Sequence, residues 1–301
     1  MKTKKTNGKR RWVTACLVLI LLLGLSLMLY PTVADYVNSL ENRRHINEYE
    51  EAVTQMNVDD REQLFEEAYA FNASLLERTT PYMTTLNDEQ REVYNSLLNI
   101  ANTEIMGYID IPKVNIHLPI YHGTSEAVLQ QGVGHYEGSS LPVGGEGVHT
   151  VLSGHTGLPS SKLFTDIREL EVGDTFTLHI FSKDLTYEVE NVDVVLPKEL
   201  EKIQIEPDKD LCTLFTCTPY GVNTHRLVVR AHRIMVENVE DQPQNNNILS
   251  FLSDDGEPIN RAIIIPIAAV LGIVVTILII RFSKRSKSDS NRSKGGNDTQ
   301  T

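Results

Sequence analysis

Two uncharged apolar runs, one near each end, restrict most what this chain can become. Trp12 to Tyr30 reads WVTACLVLILLLGLSLMLY and Ala262 to Ile280 reads AIIIPIAAVLGIVVTILII, nineteen residues each. At about 1.5 Å per residue, a helix of that length crosses a hydrocarbon core of about 30 Å. Cations stand on the outer side of both: Lys2, Lys4, Lys5, Lys9, Arg10 and Arg11 before the first, Arg281, Lys284, Arg285 and Lys287 after the second. The positive-inside rule then puts both tails, 1–11 and 281–301, in the cytoplasm and the middle outside. A cleaved signal peptide is the alternative for the first run, with Thr32 to Ala34 as its small-residue site; nineteen residues is long for such a segment. Either reading exports the middle.

Charge and cysteine content narrow what the exported part does. Between residues 12 and 280 lie 16 of the 28 cations and 38 of the 40 acids, a formal charge of −22. That balance argues against nucleic acid as a partner, because phosphate binding needs a basic surface. The chain has three cysteines, Cys16, Cys212 and Cys217. In a strand, Cys212 and Cys217 would lie roughly 16 Å apart on opposite faces, too far for a disulfide. An exported protein therefore keeps a free thiol.

The arm, 31–104, is charged and helix-favouring. Leu64, Ala68, Phe71 and Leu75 make one apolar stripe, and a second helix is predicted from Asp88 to Ala101 with Asn87 as its cap. Between them RTTPYMTTLN is broken at Pro81. From Ile105 the texture becomes β-branched: GYIDIP, IHLPIYHG, GVHTVLSG, DTFTLHIF, LTYEVENVDVVLP, LCTLFTC and HRLVVRAHRI. Short runs bounded by turn residues predict a mainly β domain over 105–236, one antiparallel sheet closed as a barrel or folded as a sandwich. Ala127 to Gly138 and Pro159 to Leu170 lack strand signals and fit short helices. A polar tether, 237–261, leads to the second apolar run at 262–280.

TLFTCTPYGVNTHRLVVR, Thr213 to Arg230, carries the chemistry. Thr213, Phe215 and Cys217 alternate onto one face, TPYGVNT turns, and Arg226 opens the next strand, so thiol and guanidinium share a rim. A cation beside a cysteine favours thiolate, the nucleophilic form. A buried structural cysteine and a surface arginine are the bland alternative, and Cys212 keeps that reading. No C-x-x-C or H-x-x-x-H pattern offers a metal site. For the proton carrier, His117 and His179 alternate within strands as wall residues and His45 lies in the arm. His135, His149, His155 and His225 remain, with His155 in VLSGHTG best placed at a strand end and His225 still open.

These segments resemble the sortase family. TLFTCTPYGVNTHRLVVR is similar to the signature TLxTCxPxxxxxxRxxVR, VLSGHTG to its histidine segment, and GYIDIPKVNIHLPIYHGT to its first strands, together spanning about Met106 to Arg233. The resemblance implies an eight-stranded β-barrel preceded by a helical arm, flanked by two transmembrane helices, in a thiol transpeptidase of the Gram-positive cell surface. It puts Cys217, His155 and Arg226 on the catalytic positions and implies no metal or organic cofactor. YHGTSEAVLQQGVGHYEGSSLPVGG and GHTGLPSSKLFTDI are most similar to class C, the pilus-assembling type. That class commonly carries a lid with an Asp-Pro-aromatic motif. In the corresponding stretch, 79–86, this chain reads Thr80-Pro81-Tyr82, so the acid and its ionic tie are missing. The implied partners are the membrane and pilins or surface proteins with LPxTG-like signals. Anchoring to a wall-precursor amine and a non-catalytic surface assembly module are the other readings.

Overall fold

Burial along the helical arm decides how the barrel is held. The computed structural model describes residues 6–77, 86–100, 105–200 and 203–235. The second apolar run, its tether and the lid residues Thr80, Pro81 and Tyr82 lie outside the described residues. Helix α1 (Thr6–Gln55) contains the first apolar run, is long and apolar enough to cross a membrane, and buries none of that segment. It continues without interruption past Pro31 into the arm.

Helix α2 (Val58–Leu76) begins where the Asn57 side chain accepts the Asp60 backbone N–H at 3.1 Å, with Asp59 and Asp60 complementing the helix dipole. Its buried stripe is Phe65, Ala68, Phe71, Asn72 and Leu75. Phe65 thus takes the core position that the sequence pattern gave to Leu64, which is only partly buried. Each buried large apolar side chain contributes roughly 1.5–3 kcal/mol. Asn72 sits in this apolar stripe without penalty, because its amide donates to the Leu141 carbonyl at 3.0 Å and accepts the Leu141 N–H at 2.7 Å. Helix α3 (Asp88–Ser96) starts at the predicted cap, where Asn87 and Gln90 form a reciprocal capping box. It stops short of Ala101 because Leu97 and Leu98 leave the helix to enter the core, Leu98 with φ 52°.

The strands are β1 (Ile105–Ile111), β2 (Ile116–His122), β3 (Val133–His135), β4 (Val148–Ser153), β5 (Thr175–Ile180), β6 (Lys183–Val195), β7 (Asp210–Thr218) and β8 (His225–Arg233). They close into a barrel in the order β1-β2-β3-β4-β7-β8-β6-β5. Closure leaves no open sheet edge, and Ile109, Ile120, Leu178, Tyr187, Leu214 and Val229 fill the core. The expected short helices appear as α4 (Glu126–Leu129) and a 3-10 turn at Thr165–Glu169; α5 (Pro197–Leu200) precedes β7. Two expectations need correction. The sheet is not purely antiparallel, since β2 pairs with β3 and β4 with β7 in parallel. The hairpin β5–β6 lies between β4 and β7 in sequence and gives the length that a parallel return requires. Strand β3 falls inside the stretch that lacked strand signals, three residues being too few for visible alternation.

Arm and barrel meet at Tyr49. Its hydroxyl donates to the Met106 carbonyl at 2.8 Å and accepts the Phe181 N–H at 2.8 Å, while the ring is 1 % exposed. Tyr49→Phe strands two buried backbone groups, and we expect a loss of about 2 kcal/mol in urea unfolding with an unchanged m value. A variant as stable as the parent would show that the arm is not fastened here.

Candidate active site

Register brings the thiol and the guanidinium together. Strand β7 lies between β4, parallel to it, and β8, antiparallel to it, and Cys217 pairs directly with Arg226. Directly paired residues hold their Cβ atoms about 5 Å apart on one face. The alternation that puts Cys212 and Leu214 into the barrel core turns Cys217 outward, where it is half-buried. Burial pushes the Cys212 thiol well above the ordinary range, so that cysteine stays protonated and inert.

His155 reaches the same rim from β4. Ser153 is level with Phe215, the Gly154 N–H donates to the Phe215 carbonyl at 3.3 Å, and Thr216 Oγ1 donates to the Gly154 carbonyl at 2.6 Å. His155 is therefore level with Cys217. Gly154 permits this, because a Cβ there would lie 2.5 Å from the Phe164 ring. The Phe164 N–H in turn donates to the His155 carbonyl at 3.1 Å. The imidazole is 23 % exposed, and its Nε2 faces both carboxylate oxygens of Glu126 at 3.3 Å. Glu126 opens α4 behind the Ser125 cap and is also held by Gln130 at 2.9 Å. Gln130 and His155 together keep its carboxyl below the usual range. Sequence reasoning missed Glu126, since its place beside His155, 29 residues away, exists only in the closed barrel.

Among the described residues no hydrogen bond or ion pair joins the Cys217 thiol to His155 or Arg226. Arg226 Nη1 donates instead to the carbonyls of Asn223 and His225, at 3.2 and 3.0 Å. Apo sites often have such open geometry and tighten on substrate. A pocket of about 190 Å³ opens at the thiol, lined by Thr156, Thr165, Arg168, Tyr220 and Leu227. On the same outer face Val151, Phe215 and Leu200 form an apolar patch with Ile203 and Val228. Beyond it lies a second pocket of about 350 Å³ lined by His149, Thr213, Glu206 and Arg230. Cys217, Phe215 and Thr213, which touch the first pocket, the apolar cluster and the second pocket in turn, follow one another along β7.

Six other histidines are held by contacts away from the thiol. His135 is fully buried, donates from Nε2 to the Ser140 carbonyl at 2.9 Å and accepts from the Tyr94 hydroxyl at 2.9 Å. His149 donates from Nδ1 to the Gln204 carbonyl and accepts from Thr213 Oγ1. His117 and His179 both pair with Asp110 on the barrel wall, and His45 meets the Tyr121 hydroxyl. His225 stands opposite Thr218 and bonds Thr224.

Such a rim sets a thiol, an imidazole and a guanidinium side by side, groups that thiol acyl transfer can use. The comparisons name the family. The Sortase domain matches residues 109–234. Sortase C1 from Streptococcus agalactiae is 48 % identical with a TM-score of 0.62, covering 64 % of this chain and 100 % of that one. Sortase C from Clostridium perfringens, in a structure with the C-terminal cell wall sorting motif, is 45 % identical with a TM-score of 0.55, covering 64 % and 98 %. Sortase D from Bacillus subtilis is 36 % identical over 115 residues, 38 % of this chain and 55 % of that protein. The chain spans about half the length of the first curated relatives it matches. It belongs to the sortase family of cysteine transpeptidases, and its structural neighbours are class C sortases.

Burial lowers His135 and His149 to about 4 each, against an ordinary value near 6.5. The unfolded chain takes up these protons first, so stability present above pH 6.5 falls as the pH drops from about 6.5 toward 4, by about 3 kcal/mol for each histidine. Urea midpoints measured across that window should fall, and His149→Gln should remove part of the slope. A flat profile would show that these histidines are not held neutral.

Proposed function

We propose that the protein is a membrane-anchored transpeptidase that cleaves an LPxTG-like sorting signal between Thr and Gly and joins the new Thr carbonyl to a pilin lysine. The observation that carries this reading is the pairing of Cys217 with Arg226 at the barrel rim, beside the pocket that opens at the thiol. Cys217 sulfur attacks the Thr carbonyl carbon and His155 protonates the departing Gly amine as the C–N bond breaks. A lysine amine then attacks the thioester, gives its proton to His155 and expels the thiolate. Arg226, steadied through Nη1 by the turn carbonyls, turns its guanidinium to hold the substrate and offset charge on the carbonyl oxygen. The Nε2–H of His155 is directed at Glu126, which leaves Nδ1 as the nitrogen open to the reaction. Glu126 is a positioning residue in this scheme.

Residues 105–236 are the catalytic domain in this reading, outside a Gram-positive cell membrane, with 12–30 and 262–280 as membrane helices and both tails cytoplasmic. Tethering confines the enzyme and a membrane-held substrate to one plane and raises their effective concentration. The neighbours described by a pilus island and by pilin substrate specificity favour a pilin lysine over a wall-precursor amine as acceptor. Incubation with a pilin bearing the signal, followed by mass spectrometry, should give a thioester on Cys217 and Thr-to-Lys isopeptide oligomers. Products joined only to small wall-like amines would put anchoring in its place.

Two substitutions test the roles. Cys217→Ala should fold normally and form no covalent adduct with an LPxTG peptide; an adduct in that variant rejects the assignment. Glu126→Gln should lower kcat about two- to fivefold, the range of a solvent-exposed ion pair, and leave KM unchanged. An unaltered kcat would leave Glu126 without a part in the reaction.

A further inference from the structure

Among the described residues, the first hydrogen bonds that α1 makes to the barrel domain go to the loop behind His155. From Trp12 to Tyr30 the described side chains of α1 are exposed or half-buried and apolar all round. Past Pro31 the helix changes character, and burial falls on the single stripe Asp35, Asn38, Asn42, Ile46, Tyr49 and Val53, spaced three or four residues apart. The first two members clamp a loop. Asp35 Oδ1 accepts the Lys162 backbone N–H at 2.8 Å, and Asn38 Nδ2 donates to the Ser160 carbonyl at 2.8 Å. Later positions reach strands instead, His45 meeting Tyr121 and Tyr49 meeting Met106.

The clamped loop is tied to the site at several points. Leu158 bridges Ser161, and Phe164 holds the His155 carbonyl. Gly157 lies against the Tyr220 ring, where a Cβ would approach to 3.1 Å, and Tyr220 lines the Cys217 pocket. The clamp on α1 is therefore connected through this loop to the catalytic rim.

Helix rise turns sequence distance into height. Asp35 and Asn38 are five and eight residues past Tyr30, roughly 8 and 12 Å at about 1.5 Å per residue. An extended substrate covers about 3.4 Å per residue, so it spans that height with about three residues. We propose that the contacts of Asp35 and Asn38 with the loop behind His155 act as a ruler. They fix the catalytic rim roughly 10 Å beyond the apolar run, so that the enzyme selects membrane-held substrates whose scissile bond lies about three residues from their own membrane-spanning segment. This rests on the transpeptidase reading and on Trp12 to Tyr30 crossing the bilayer.

The experiment uses full-length enzyme reconstituted in liposomes with membrane-held substrates whose Gly-Ser spacer, between cleavage site and spanning segment, grows in steps from none to twelve residues. A second enzyme carries a seven-residue helical insertion between Pro31 and Asp35, two turns that raise the clamp by about 10 Å while nearly keeping its face. Each enzyme is also assayed on a soluble LPxTG peptide, where height is irrelevant. The parent should prefer the short spacers and lose at least tenfold in rate at twelve residues. The insertion variant should shift its optimum by about three residues and turn over the soluble peptide at the parental rate. Asp35→Ala with Asn38→Ala should broaden the tolerated spacers. An identical optimum in parent and insertion variant, with peptide turnover intact in both, would overturn the ruler alone. Absence of all turnover in the parent would overturn the transpeptidase reading and the ruler with it.

Discussion

The register of β7 between β4 and β8 is the constraint on which the rest of this structure depends. It pairs Cys217 with Arg226 on one side and keeps Phe215 level with Ser153 on the other. Side chains alternate strictly along a strand, so a slip of one residue would turn Cys217 into the barrel and Cys212 out of it. The slip is opposed by everything packed on the inner face, Cys212, Leu214, Val229 and Ala231 among them. The hydrophobic core thus aims the thiol.

A closed barrel also explains why so much of the arm is polar yet buried. Its wall offers backbone and side-chain groups at the surface where helices dock, and each needs a partner. Tyr49 joins Met106 and Phe181, Asn72 takes both backbone groups of Leu141, and Tyr94 bridges His135 and the Gly123 N–H. These contacts are directional where apolar packing is not, and they fix how the helices sit. That rigidity links the apolar segment of α1, through the loop at Ser160 and Lys162, to the rim of the site.

Local patterns foretold local structure. The Asn87 cap, most of the α2 stripe and seven of the strands stand where apolar spacing and turn residues put them. Where the patterns misled, a distant partner had overruled them. Phe65 displaces Leu64 because Phe181 and Lys183 meet its ring. Strand β3 exists because β2 and β4 leave room between them, with three residues pairing to β2 and two to β4.

The sequence by itself determined the hairpin that opposes a thiol to a guanidinium, because alternation and a short turn are properties of neighbouring residues. It also determined the apolar run that begins α1, since length and the absence of charge suffice for that. Only the tertiary structure decided that β4 runs parallel to β7, that Glu126 faces His155, and that Asp35 and Asn38 hold the loop at Ser160 and Lys162. Each of these joins residues far apart in the chain, and closing such a loop costs entropy that no local signal records. They form because the buried core of the closed barrel offsets that cost.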